Sequence, residues 1–75
     1  MSYSLPVFSR SQYTQAQGLT RIAAESVVAS ALDIPVSRLR QWRLDGVGPD
    51  YETTVNGQTV YRRQVVLAFM RNRLR

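Results

Sequence analysis

The sequence predicts a mainly α-helical fold carrying one small β-hairpin, and three observations lead there. Two apolar-periodic segments, 20–32 and 36–44, are separated by Pro35, which cannot sit inside a helix and holds Ile34 extended. Asn56-Gly57 stands between two runs rich in β-branched and aromatic residues, a strong hairpin signal. A last segment, from about Arg63 to Arg73, spaces its apolar residues for one helix face. Three helices plus a protruding hairpin, or wing, in that order form a winged helix-turn-helix.

The elements follow in turn. Residues 1–18 are polar apart from Leu5, Val7 and Phe8, and are expected as an N-terminal arm or a short extra element against which Tyr3, Phe8 and Tyr13 pack back. Residues 19–75 make up the domain. Thr20 is placed to N-cap a first helix in which Ile22, Ala23, Ala24, Val27, Val28, Ala31 and Leu32 recur at helical spacing. That helix is expected to stop near Asp33. Pro35 suits a new start, Ser37–Leu44 continue a second helix, and Gly46 ends it with the left-handed residue that helix ends favour. Strands are expected at Tyr51–Val55 and Gln58–Tyr61, joined by a two-residue turn, with Val60 inward. Val66, Phe69 and Met70 then give the last helix a buried face that closes over the second.

Composition narrows the function. The 75 residues contain ten Arg, no Lys, five acidic residues, and neither Cys nor His, for a formal charge of +5. Disulfides, thiolate or imidazole metal ligands and the usual nucleophile–base pairs are therefore excluded. The five carboxylates, Glu25, Asp33, Asp45, Asp50 and Glu52, show no acid–base or metal pairing, so neither an enzyme nor a cofactor is expected. There is no apolar run of about 18 residues and no signal-peptide layout, so the expectation is a chain without a membrane partner, in a bacterial cytoplasm.

The charge is uneven. Up to residue 34, Arg10 and Arg21 balance Glu25 and Asp33, and the whole excess falls on residues 35–75. A basic stripe on the part that carries the helix-turn-helix suits phosphate contact, although a merely soluble Arg-rich surface has the same composition. At 100° per residue Val36, Leu39 and Trp42 share one side of the second helix, and Ser37, Arg38 and Gln41 share the other. In a major groove, Arg can fork onto guanine and Gln onto adenine, so Arg38 and Gln41 lead as base readers. Arg40 flanks them and could reach a phosphate, while Arg43 projects toward the apolar side and snorkels or pairs with an acid. At the wing, Asn56, Gln58 and Thr59 could approach a minor groove or the backbone, or form an ordinary surface turn. Arg62 and Arg63 could clamp phosphates or brace the wing against Asp50 or Glu52. Arg71, Arg73 and Arg75 could serve DNA or the negative end of their own helix.

The ordered motifs Leu32-Asp-Ile-Pro-Val-Ser-Arg-Leu39-Arg-Gln-Trp42, Gly46-Val-Gly-Pro49 with Tyr51, and Val60-Tyr-Arg-Arg63 with Val66 and Phe69-Met70 resemble the excisionase-type winged-helix family, related to the DNA-binding domain of the MerR group. The resemblance spans residues 20–73. The family usually has Gly where Asp33 stands and Ser or Thr where Pro35 stands. It implies reading roles for Ser37, Arg38 and Gln41 in a major groove and wing roles for residues 56–59. It also implies a small phage or mobile-element protein: an excisionase that bends DNA and steers an integrase, or a transcriptional regulator that acts on RNA polymerase. The expected partner is double-stranded DNA, bound by a homo-oligomer or a cooperative array of adjacent copies. The alternative is a protein–protein adaptor, such as a phage assembly or host-takeover factor, on the same scaffold.

Overall fold

The computed structural model describes residues 5–74, so the expectations for Tyr3 and Arg75 lie outside it. Within this range the chain runs α1 (Arg10–Ala16), β1 (Ile22–Ala24), α2 (Glu25–Ala31), α3 (Val36–Asp45), β2 (Glu52–Thr53), β3 (Thr59–Arg62) and α4 (Arg63–Arg71). The result is a small, mainly helical molecule with four helices and a three-stranded antiparallel sheet, one helix and one strand more than expected.

The extra helix lies in the stretch expected as an arm or short element. Ser9 and Gln12 make a reciprocal capping box: the Gln12 N–H donates to Ser9 Oγ at 3.1 Å and the Ser9 N–H donates to Gln12 Oε1 at 2.8 Å. Phe8 is buried, its ring 6.0 Å from that of Phe69 in an edge-on arrangement, and its N–H donates to the Arg73 carbonyl at 2.8 Å. The two ends of the described chain are thus bonded together, with Phe8 bridging Leu74 in parallel.

The helix expected to begin at Thr20 does not. Residues 22–24 form β1, which pairs antiparallel with β3 so that Ala23 faces Tyr61, and α2 starts only at Glu25 with no side-chain cap. Thr20 instead donates its hydroxyl to the Ile22 carbonyl at 2.6 Å. The apolar spacing that suggested a longer helix is met differently: Ala23 enters the core from the strand, and Val28, Ala29 and Leu32 enter it from α2 and its end.

The corner between α2 and α3 is made by Asp33, at φ 58°, and by Pro35, the N-cap of α3. Asp tolerates the left-handed region better than most residues, and Gly adopts it freely. α3 ends at Asp45, one residue later than expected, with Gly46 left-handed after it. Leu39 and Trp42 are buried as expected, but Val36, expected beside them, is partly in solvent.

The hairpin loop has three residues rather than two. The Gly57 N–H donates to the Thr54 carbonyl and the Thr54 N–H to the Gln58 carbonyl, both at 2.9 Å, so residues 55–57 form the loop and Gly57, at φ 83°, takes the position that closes it. The strands shrink accordingly. In β3 it is Tyr61, not Val60, that is buried. α4 buries Val66 and Met70 and leaves Phe69 partly covered; its main helical neighbour is α1, and it reaches α3 through the Trp42–Phe69 ring pair at 6.0 Å.

Candidate functional site

α3 has two unlike sides. Inside, Leu39 and Trp42 anchor it, and Gly48 allows the following turn to lie on Trp42: a Cβ at Gly48 would meet the indole at 3.1 Å. Beside them the Arg43 Nε donates to Glu25 Oε2 at 3.0 Å, both side chains being mostly covered, and the guanidinium lies 5.4 Å from the centre of the Tyr51 ring. The Tyr61 hydroxyl donates to the same Glu25 oxygen at 3.3 Å. The hydrogen bond to Glu25 raises the Arg43 pKa further, so this arginine is permanently charged and engaged within the fold. Burial first, and the Glu25 charge second, push the Tyr61 phenol up to about 12.

Outside, Ser37, Arg38, Arg40 and Gln41 are all exposed. Among the described residues Ser37, Arg38 and Arg40 have no side-chain hydrogen bond or ion pair, while Gln41 Nε2 donates to Asp45 Oδ2 at 3.0 Å, one turn along. The four do not form one row. Ser37, Arg38 and Gln41 line a recess of about 610 Å³ that Leu5 and Pro6 border from the N-terminal segment. Arg40 lines a second recess, of about 450 Å³, together with Gln58 and Thr59 of the hairpin and Ser26 of α2. The structure therefore brings Arg40 to the wing and the other three to the N-terminal segment. Asn56, next to the fully exposed Val55, stands at the loop tip.

Arg62 and Arg63 lie elsewhere. Three to four residues along β3 from Thr59, roughly 10 Å at strand rise, they meet the start of α4 at the other end of the sheet. Arg62 pairs with Glu52 of β2, the brace that was one of its two expected roles, and this pairing raises its pKa. Arg63 turns inward, its Nη1 donating to the Leu19 carbonyl at 3.1 Å. Together with Arg21 and Gln64 they surround a recess of about 360 Å³. Arg21 was not singled out from the sequence, because it lies in the half of the chain whose charges balance. Leu5 and Pro6 were likewise invisible as neighbours of the reading side, since no periodicity links residues 5–6 to α3. At the last helix, Arg71 donates to the Tyr13 hydroxyl at 3.2 Å and Arg73 stacks 5.3 Å from the Phe69 ring centre, so both have partners within the fold.

Among the described residues no group of His, Cys, Asp or Glu is arranged to hold a metal ion, and no helix is long and apolar enough to cross a membrane. Comparison with protein-family models, with curated proteins and with solved structures finds no match, so the meaning of these surfaces rests on their own geometry.

Proposed function

We propose that this chain is a sequence-specific double-stranded DNA-binding protein of the winged helix-turn-helix kind, with α3 in the major groove and the β2–β3 hairpin beside it. The observation that carries this reading is the outward side of α3: Ser37, Arg38, Arg40 and Gln41 project into solvent while Leu39 and Trp42 fix the helix from behind. A helix held rigidly by one side, with forked donors on the other, suits base-edge recognition. In this reading Arg38 and Gln41 read bases and Ser37 supports them. Arg40, Gln58 and Thr59 reach backbone or minor groove from the wing side, Asn56 extends that contact at the tip, and Arg63, beside an Arg62 whose charge Glu52 balances, adds charge further along.

Such a protein works by occupying or bending DNA, as an excisionase of a phage or mobile element or as a small transcriptional regulator. Adjacent copies bind cooperatively, because a single small reading face offers few contacts. Its working place is the bacterial cytoplasm, on the nucleoid.

The test is retention of genomic fragments of the source organism by the purified protein at roughly physiological salt. Enrichment of one region with clustered short repeats is expected, and its position beside an attachment site or a promoter selects excision or regulation. Arg38→Ala and Gln41→Ala are expected to lose about 1–3 kcal/mol on the best site and little on random DNA. Uniform retention, or none, overturns the reading and favours a protein–protein adaptor.

A further inference from the structure

A second concentration of charge lies away from α3. The recess between the entry to β1 and the first turn of α4 is lined by Arg21, Arg62, Arg63 and Gln64, without a carboxylate among its lining residues. Its walls are tied together: the Arg63 N–H donates to the Arg21 carbonyl at 2.8 Å, and the Arg63 guanidinium holds the Leu19 carbonyl. Glu52 balances Arg62, which leaves two arginine charges uncompensated. Arg21 is exposed, and among the described residues its guanidinium makes no hydrogen bond or ion pair.

The charge also runs against the local helix. α4 has no side-chain cap and no acidic residue in its first turn. Helix starts favour negative charge, so cations gathered there are mutually repelled and repelled by the helix end unless an anion joins them. A planar guanidinium free to swing over a rigid recess, with a second one fixed in its wall and an amide side chain beside it, matches the oxygens of a phosphate group.

We propose that this recess is a phosphate site with Arg21 as its movable clamp, and that it takes a DNA backbone phosphate away from the reading face of α3. The assignment to DNA rests on the function proposed above; the phosphate site itself does not. In that assignment the α4 end of the sheet fixes the register of the protein on the duplex without reading sequence.

Two measurements on the full chain test it. In the first, ¹⁵N-labelled wild-type protein is titrated with inorganic phosphate against chloride at constant ionic strength. Saturable amide shifts confined to Arg21, Arg63, Gln64 and Val65 are expected, and Arg21→Gln is expected to abolish them; no saturable shift there, or shifts unchanged in the variant, overturns the site. In the second, DNA affinity is followed against salt. Arg21→Gln is expected to flatten the logarithmic slope by about 0.9, the release of one counterion, and to weaken specific and random duplexes alike by about five-fold near 0.15 M salt. Wild-type DNA binding with an unchanged slope in the variant overturns this proposal and leaves the α3 reading standing. Phosphate binding without any DNA binding overturns the DNA assignment together with that reading. Arg21→Lys, which keeps charge but loses the fork, is expected to fall between the two, with the thermal transition of each variant confirming that the fold is intact.

Discussion

The inward and outward sides of α3 differ in what their polar groups are doing. Inward, Arg43 has one carboxylate, one phenol ring and a covered position, and the two contacts tie α3 to α2 and to Tyr51, just before β2. Outward, Arg38 and Arg40, the same residue type on the same helix, have no such tie among the described residues. The difference separates a cation that serves folding from cations that are free to serve a partner. It also makes the comparison breakable: substitutions on one side should register in stability alone, and on the other side in binding alone.

The largest effect is expected at Trp42. Its indole is buried, meets the Phe69 ring and carries the Gly48 turn. Trp42→Ala is expected to cost about 3–5 kcal/mol in denaturant unfolding, enough to unfold much of a domain this small. A loss below about 1 kcal/mol would mean that α3 is not held from behind, and the two-sided description would go with it.

That inward side was readable in advance because its signals are local. Pro35 starts α3, Gly46 ends it, and Leu39 and Trp42 stand three residues apart. What was not readable depends on distant partners. Ile22–Ala24 have helical spacing with the residues that follow, and only pairing with Val60–Arg62, far along the chain, makes them a strand. The Ser9–Gln12 capping box was a local signal for α1, but α1 buries little beyond Ala16, so hydropathy gave no support to it. The third loop residue of the hairpin followed from Gly57 taking a closing position in place of a turn centre. For the candidate site, exposure of Ser37, Arg38, Arg40 and Gln41 followed from helical geometry alone. Their division between the N-terminal segment and the wing did not, since it depends on how three non-adjacent segments pack.

Next in size is the Glu25 carboxylate, which accepts from both Arg43 and Tyr61. Glu25→Gln leaves the arginine covered without a counter-charge, and about 1–3 kcal/mol of stability is expected to go. DNA affinity of the folded fraction should not move. A fall in affinity at full folding would place Arg43 among the binding groups and blur the two sides.

Tyr61 gives a smaller effect with a defined pH window. Its folded pKa is raised from 10.0 to about 12, so below pH 10 the phenol is neutral in both states and its stabilisation is whole. Between about pH 10 and 12 the unfolded chain loses this proton while the folded chain keeps it, so stability falls as pH rises, by at most about 3 kcal/mol. Tyr61→Phe is expected to remove that extra slope in unfolding measured across the window. An equal slope in both proteins would assign the alkaline loss to other groups.

The smallest effect is the most useful one. Gln41→Ala deletes a single exposed hydrogen bond to Asp45, one turn along the same helix, worth about 0.2–0.5 kcal/mol, and alanine's higher helix propensity offsets part of it. Arg38→Ala deletes no bond within the described fold, so its stability is expected to stay within about 0.5 kcal/mol of wild type. Both changes are nevertheless expected to cost several times that on the best DNA site. A helix side whose removal is silent in unfolding and loud in binding has no structural reason to carry those residues. If unfolding instead shows a loss above about 1 kcal/mol for Arg38→Ala, the outward side has a structural duty of its own, and its exposure no longer argues for a reading face.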